Sequence, residues 1–197
     1  FSDRQVAISE LSSFNNANSL ANLVRLEVNL PQRLQLFGPF DISPDGSQIV
    51  FSGSDSSGQR LWLRKLGSIS AEPIPSTGPL SDVAVTGGVS PRFSPDGDSI
   101  LFVRDGRLEI VALGGGPPRV IAEGVRARSS LVWGNSGSAY YAGAGGGIWR
   151  VPVIGGTPEK VISLNSEYGN FGLLEVLPGE NGILISTEET GLAVASL

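Results

Sequence analysis

The stretch FSPDGDSILFV, Phe93 to Val103, sets a turn-forming Ser-Pro-Asp-Gly directly before a run of strand-favouring apolar residues. Nearly the same words, ISPDGSQIVFS, stand at Ile42 to Ser52. Proline at the second position of such a turn fixes φ, aspartate bonds its neighbouring backbone, and glycine takes the positive φ that follows. On this reading Pro44, Asp45 and Gly46, and again Pro95, Asp96 and Gly97, are structural turn residues at a hairpin corner. A calcium or phosphate loop would need carboxylates at alternate positions or a glycine loop opening a helix, and neither pattern accompanies these words.

Working outward from the two corners, a weaker version appears as WGNSG (Trp133 to Gly137) and a degenerate one as VLPGENG (Val176 to Gly182). The spacing of roughly 40 to 50 residues is that of propeller blades. Each corner leads into a short, almost continuously apolar run: SQIVFS, DSILFV, SAYYAG and NGILIS. Such runs are too short for helices and predict strands covered on both faces. A second strand follows: RLWLRKL (Arg60 to Leu66), RLEIVAL (Arg107 to Leu113), GIWRVPVI (Gly147 to Ile154) and GLAVASL (Gly191 to Leu197).

Glycine pairs in LGGGPPRVI and IGGTPEKVI then turn the chain into a short outer strand, where proline is tolerated because one edge is free. With the segment before each corner, the unit holds four antiparallel strands, one propeller blade. Pro152 falls inside a predicted strand, and a bulge or irregular pairing is expected there. The fold class is all-β, a β-propeller with about three complete blades plus a partial fourth that stops at its third strand. The units run about 35–78, 86–123, 129–164 and 172–197 within a repeat region 31–197. Residues 1–30 lie outside the repeat and read as N-terminal strands or a linker, with VRLEVNL (Val24 to Leu30) as a closing strand.

Composition agrees and narrows the chemistry. The 197 residues hold 27 glycines and 13 prolines with only 17% charged side chains, the profile of short elements joined by tight turns. A net charge of -5 speaks against a nucleic-acid binder. There is no Cys, no His and no Met. A Ser-His-Asp triad, a thiolate nucleophile and a Cys-ligated zinc are therefore excluded within these residues. No apolar run approaches a membrane span, so no membrane insertion is predicted for this segment.

An enzyme reading has to rest on carboxylates, and the candidate acids are Asp41, Asp82, Glu175, Glu188 and Glu189. None sits in a motif that fixes acid–base geometry, and a solvated surface position accounts for each. GAGGG (Gly143 to Gly147) lacks the helix start and the Lys-Ser/Thr of a phosphate loop, and reads as a hairpin. Trp62, Trp133 and Trp149 read as packing residues before they read as a stacking platform. The blade topology puts the corners and Gly-Gly hairpins on one face, and the longer connections 77–90, 123–129 and 163–172 on the other. Loops on a rigid scaffold carry recognition, which nominates Asp82, Arg126, Arg128, Tyr168 and Asn170 as partner contacts.

The h-S-P-D-G-x-x-h-h-F core, Leu61-Trp62 and GIWRVPVIGGTPEKV (Gly147 to Val161) resemble TolB-type, WD-like propeller repeats. From Leu26 onward the wording is similar to propeller domains attached to bacterial serine/threonine kinases and transcription regulators. The resemblance covers roughly Leu23 to Leu197 and implies six or more blades, against the three and a partial fourth found here. It also implies a noncatalytic recognition or scaffold module, a sensor or partner-binding part of a larger bacterial protein, with an extracytoplasmic position favoured over a cytoplasmic one. No cofactor is expected, the partner is a protein or peptide, and self-association through open blade edges is the hazard of an unclosed stack. The alternative is a carboxylate-dependent propeller hydrolase acting on glycans or peptides.

Overall fold

The computed structural model describes residues 34–68, 70–78, 80, 90–126, 129–163, 171–187 and 191–197. Fifteen strands in this span form four antiparallel sheets. Blade 1 is β1 (Gln35–Ile42), β2 (Gln48–Asp55), β3 (Gly58–Lys65) and β4 (Glu72–Pro73). Blade 2 is β5 (Arg92–Phe93), β6 (Ser99–Arg104), β7 (Arg107–Ala112) and β8 (Arg119–Glu123). Blade 3 is β9 (Leu131–Trp133), β10 (Ser138–Ala142), β11 (Ile148–Pro152) and β12 (Glu159–Ile162). Blade 4 holds three strands, β13 (Phe171–Val176), β14 (Gly182–Thr187) and β15 (Gly191–Ser196). Within each sheet the strands run in chain order as a meander, and successive sheets stack face to face. The architecture is that of a β-propeller. The closing-strand segment at residues 24–30 lies outside the described residues.

The Ser-Pro-Asp-Gly words close into a hydrogen-bonded unit. Ser43 Oγ donates to Asp45 Oδ1 at 2.6 Å, and Asp45 also accepts the Ser47 N–H at 3.0 Å and the Ser47 hydroxyl at 2.7 Å. Gln48 N–H returns to Ser43 Oγ at 2.9 Å, while Gly46, at φ 71, donates to Ser43 O. Ser94, Asp96, Gly97 and Ser99 repeat the arrangement. The Ser43 hydroxyl and the Ser47 bonds hold the Asp45 carboxyl down at about 2. The Ser94 hydroxyl and the Asp98 amide lower Asp96 likewise.

The continuous apolar runs are explained by stacking. Side chains alternate across a strand, so a strand between two blades needs apolar residues on both faces. In β6, Ile100 and Phe102 pack with Val50 and Leu61 of blade 1, while Leu101 packs with Leu131, Ala139 and Val151 of blade 3. In β10, Ala139 and Tyr141 face blade 2, and Tyr140 faces Ile183 and Ile185 of blade 4. Each fully buried side chain of this size contributes about 1.5–3 kcal/mol. Several per joint outweigh the polar ties between blades, at roughly 1 kcal/mol each. The apolar faces therefore hold the stack, and the polar ties set its register.

Two details differ from the sequence reading. Pro152 causes no bulge: it pairs in register with Ser138 at the end of β11, and the irregularity falls between Ile148 and Trp149. Val153 N–H donates to Gly137 O, so by alternation the Pro152 nitrogen faces β12, past Arg150–Glu159, the last pair of that ladder. No ladder bond is lost there. The first strands also reach further back than the four residues before each corner: β1 starts at Gln35 and β13 at Phe171, and each runs through a bulge in its middle.

Candidate functional site

The first strands of the blades, β1, β5, β9 and β13, lie side by side along the axis of the stack. Phe93 and Trp133 end their strands and Asp41 and Glu175 are next to last in theirs, just before the corners. Together with Arg92 and Val132 they line a cavity of about 100 Å³. At about 30 Å³ per water, this is room for a few waters or one small polar group. Asp41 and Glu175 each follow a bulge, between Phe37 and Phe40 in β1 and between Leu173 and Glu175 in β13. In β13 one residue is inserted, which shifts the alternation and re-aims Glu175, whereas β1 inserts two, Gly38 and Pro39, and keeps it.

The two carboxylates are not equivalent. Asp41 Oδ2 accepts the Phe93 N–H at 2.8 Å, and its Oδ1 lies 3.5 Å from Arg92 Nη1. Arg92 Nε donates to Leu131 O at 2.9 Å. One guanidinium thus ties blade 2 to blades 1 and 3, with Asp41 as its anchor. Glu175 stands exposed at the rim. The site can orient a hydrogen-bond donor or a cationic group. Among the described residues no group of three or more acidic side chains gathers at a metal-holding spacing.

Of the nominated loop residues, Asp82, Arg128, Tyr168 and Asn170 lie outside the described residues, as do Glu188 and Glu189. Arg126 is half-buried where blades 2 and 3 join. Its N–H donates to Ala142 O at 2.9 Å and its carbonyl accepts from Ser129 N. The axial cavity opens at the corner end of the inner strands and Arg126 sits at the other end, so the structure does not bring Arg126 to Asp41 and Glu175.

Trp62 and Trp149 serve packing, while Trp133 packs against the core between blades 2 and 3 and also lines the axial cavity. Trp62 is buried and donates its indole N–H to Gly53 O at 3.1 Å. Trp149 donates to Gly146 O, with the Lys160 ammonium 5.3 Å from its ring centroid. The glycine loop 143–147 is the hairpin joining β10 and β11. A Cβ on Gly147, at φ 79, would sit 2.4 Å from Ile162 O, and one on Gly143 would strike the Trp149 indole. Close approach of the Ile162 backbone accounts for Gly147, and the Trp149 ring for Gly143.

Two polar residues escaped the sequence reading. Arg92 is one. Glu180 is the other, at φ 52 in a single 3-10 turn (Pro178–Glu180) at the corner of blade 4. Its carboxylate accepts the Ser136 N–H and the Ser136 hydroxyl, each at 2.5 Å, and the Tyr140 hydroxyl at 3.2 Å. Burial pushes its carboxyl up, but the Ser136 bonds, Tyr140 and the Arg150 charge outweigh that and leave it lowered. Burial, and then the Glu180 charge, raise Tyr140. A Cβ on Gly134 would lie 2.9–3.0 Å from the Glu180 carboxylate. In WGNSG, which lacks the corner aspartate, the next blade supplies the acid.

No family model and no curated protein matches the chain. Among solved structures it shares its fold with a TolB from Agrobacterium tumefaciens, at 18% identity and a TM-score of 0.55, over 81% of this chain and 57% of that one. It shares it also with an oligogalacturonate lyase in complex with manganese, at 16% identity and 0.62, over 84% and 52%. A third is a chain of a nidogen–laminin complex, at 13% and 0.56, over 80% and 58%. The chain spans little more than half the length of these structures. At such identities the likeness is one of fold, the TolB-like propeller that the repeat wording implies.

Proposed function

We propose that the chain is a noncatalytic recognition module, a sensor or partner-binding part of a larger bacterial protein, holding a protein or peptide on its propeller face. The observation that carries this reading is the state of Asp41. Both of its oxygens are engaged by the fold, one by the Phe93 amide and one by Arg92, which supports a role for this acid in ordering blades over one in proton exchange. The shared fold of a chain in a nidogen–laminin complex supports protein recognition as a use of this scaffold. The interblade connections carry the contacts, with Asp82, Arg126, Arg128, Tyr168 and Asn170 as the nominated residues. The TolB-type repeat wording supports an extracytoplasmic position. No helix among the described residues is long and apolar enough to cross a membrane.

The test is selection of a displayed peptide library on the immobilised chain, followed by alanine at the five positions. Loss of binding by tenfold or more, about 1.4 kcal/mol, at two or more of them supports the reading. A second reading, a carboxylate-dependent hydrolase of glycans or peptides, is favoured by the exposed Glu175 beside Asp41 and by the fold shared with an oligogalacturonate lyase. Turnover in a glycan or peptide library that vanishes in Glu175→Gln would overturn the first proposal and establish the second.

A further inference from the structure

Asp-Gly stands three times in this chain, at Asp45–Gly46, Asp96–Gly97 and Asp105–Gly106. A glycine after the aspartate puts no side chain in the way, so the carboxyl can approach the glycine amide closely. Two of the pairs are blade corners, and there both groups are tied down. Asp45 accepts the Ser43 hydroxyl, the Ser47 N–H and the Ser47 hydroxyl, while the Gly46 N–H donates to Ser43 O at 2.8 Å. Asp96 accepts the Ser94 hydroxyl and the Asp98 N–H, while the Gly97 N–H donates to Ser94 O at 2.9 Å.

The third pair is the hairpin that joins β6 to β7, closed by Arg104 opposite Arg107. Asp105 lies at φ 52 and Gly106 at φ 72. A two-residue turn with positive φ at both central positions favours Asp-Gly, so the turn geometry itself selects this dipeptide. Asp105 is exposed at the tip. Among the described residues its carboxylate accepts no hydrogen bond and the Gly106 N–H donates none. Electrophile and nucleophile are both free here, and at the corners neither is.

We infer that Asp105–Gly106 is a self-modification site, at which the chain converts aspartate to isoaspartate. The Gly106 nitrogen attacks Cγ of the neutral Asp105 carboxyl. A C–N bond replaces a C–O bond, and the hydroxyl leaves with the amide proton as water. The product is a five-membered succinimide ring, which water reopens. Attack of water at the Asp105 main-chain carbonyl breaks that carbon's bond to the Gly106 nitrogen. The main chain then runs through Cγ, longer by a methylene, and the former main-chain carbonyl becomes the free carboxylate. Gly106 O accepts the Val125 N–H at 3.0 Å, so the added methylene falls where the blade 2 hairpin meets the connection to blade 3, beside Arg126.

Prolonged incubation of the folded 197-residue chain tests this, with proteolysis and fragmentation that distinguish isoaspartate from aspartate. Isoaspartate should accumulate at least tenfold faster at Asp105 than at Asp45 or Asp96, because each corner must first give up its turn bond and its bonds to the carboxylate. In urea, where all three pairs are free, the rates should converge. Ser94→Ala, which removes a bond to Asp96, should speed conversion at Asp96 and leave Asp105 unchanged. If that variant fails to fold, the comparison of folded and urea-treated chain still decides. Asn181–Gly182 would expel ammonia in place of water, so its product differs in mass and is counted apart. No isoaspartate at Asp105 by the time the urea sample shows it, equal rates at the three pairs in the folded chain, or a difference that persists in urea overturns the inference.

Discussion

The meeting of Glu180 with Gly134 makes a quantitative prediction. Glu180→Ala removes the acceptor for two Ser136 donors and for Tyr140. Hydrogen bonds to a charged group contribute about 1.5–3 kcal/mol each when buried, but water can replace the carboxylate at the exposed Ser136 groups, so the expected total is about 2 kcal/mol. Gly134→Ala puts a methyl 2.9–3.0 Å from the carboxylate, which must swing away and release the same bonds. That again costs about 2 kcal/mol. Since both changes break one interaction, the double variant should also lose about 2 kcal/mol and not 4. The assay is urea unfolding followed by tryptophan fluorescence. A 2 kcal/mol loss moves the midpoint by about 1 M at an m-value near 2 kcal/mol/M. Glu180→Gly loses the same bonds but relieves the backbone at φ 52, and should fall about 1 kcal/mol less far than Glu180→Ala. Additive costs, or a harmless Gly134→Ala beside a costly Glu180→Ala, would refute the reasoning.

Other outcomes follow from the same contacts. Glu109, 3% exposed, is paired with Arg104, and Arg104→Ala should cost about 3–5 kcal/mol by leaving a buried charge, whereas Glu109→Gln should cost less; urea midpoints compare them. Asp45 is lowered from 3.8 to about 2, so its contribution is complete above 3.8 and is lost as pH falls through about 2. Asp45→Asn should flatten that limb of the stability–pH curve without steepening any part above pH 5. Gly46→Ala meets open space at φ 71 and should cost about 1 kcal/mol, while Gly147→Ala, 2.4 Å from a carbonyl oxygen, should cost at least twice that; thermal unfolding ranks the pair.

The repeat and its corners were legible because their causes are local. Ser43, Asp45 and Gly46 bond among themselves within five residues, so the words carry the structure. The doubly apolar second strands were legible because both faces of β6 and β10 meet neighbouring blades, while in β2 Val50 faces blade 2 and Ile49 and Phe51 pack with Trp62 of their own blade. Arg92 and Glu180 were not, because each acts on a residue that only stacking brings near: Leu131 lies 39 positions away and Ser136 lies 44. Nothing in the residues around Arg92 or in VLPGENG marks those partners. Pro152 misled for the same reason, since its tolerance depends on where β12 ends. Asp41 and Glu175 could be named as acids, but only the bulges before them and the axial packing gave them different tasks.

The borrowed carboxylate of blade 3 bears on how such a chain can be cut and rejoined. Blades 1 and 2 carry their own acid in Asp45 and Asp96, so each is a self-sufficient module that could be transplanted or duplicated with its corner intact. Blade 3 has Ser136 at that place, and its corner is complete only when blade 4 follows it. In a shuffled or shortened repeat protein, blades 3 and 4 would have to travel as one heritable cassette.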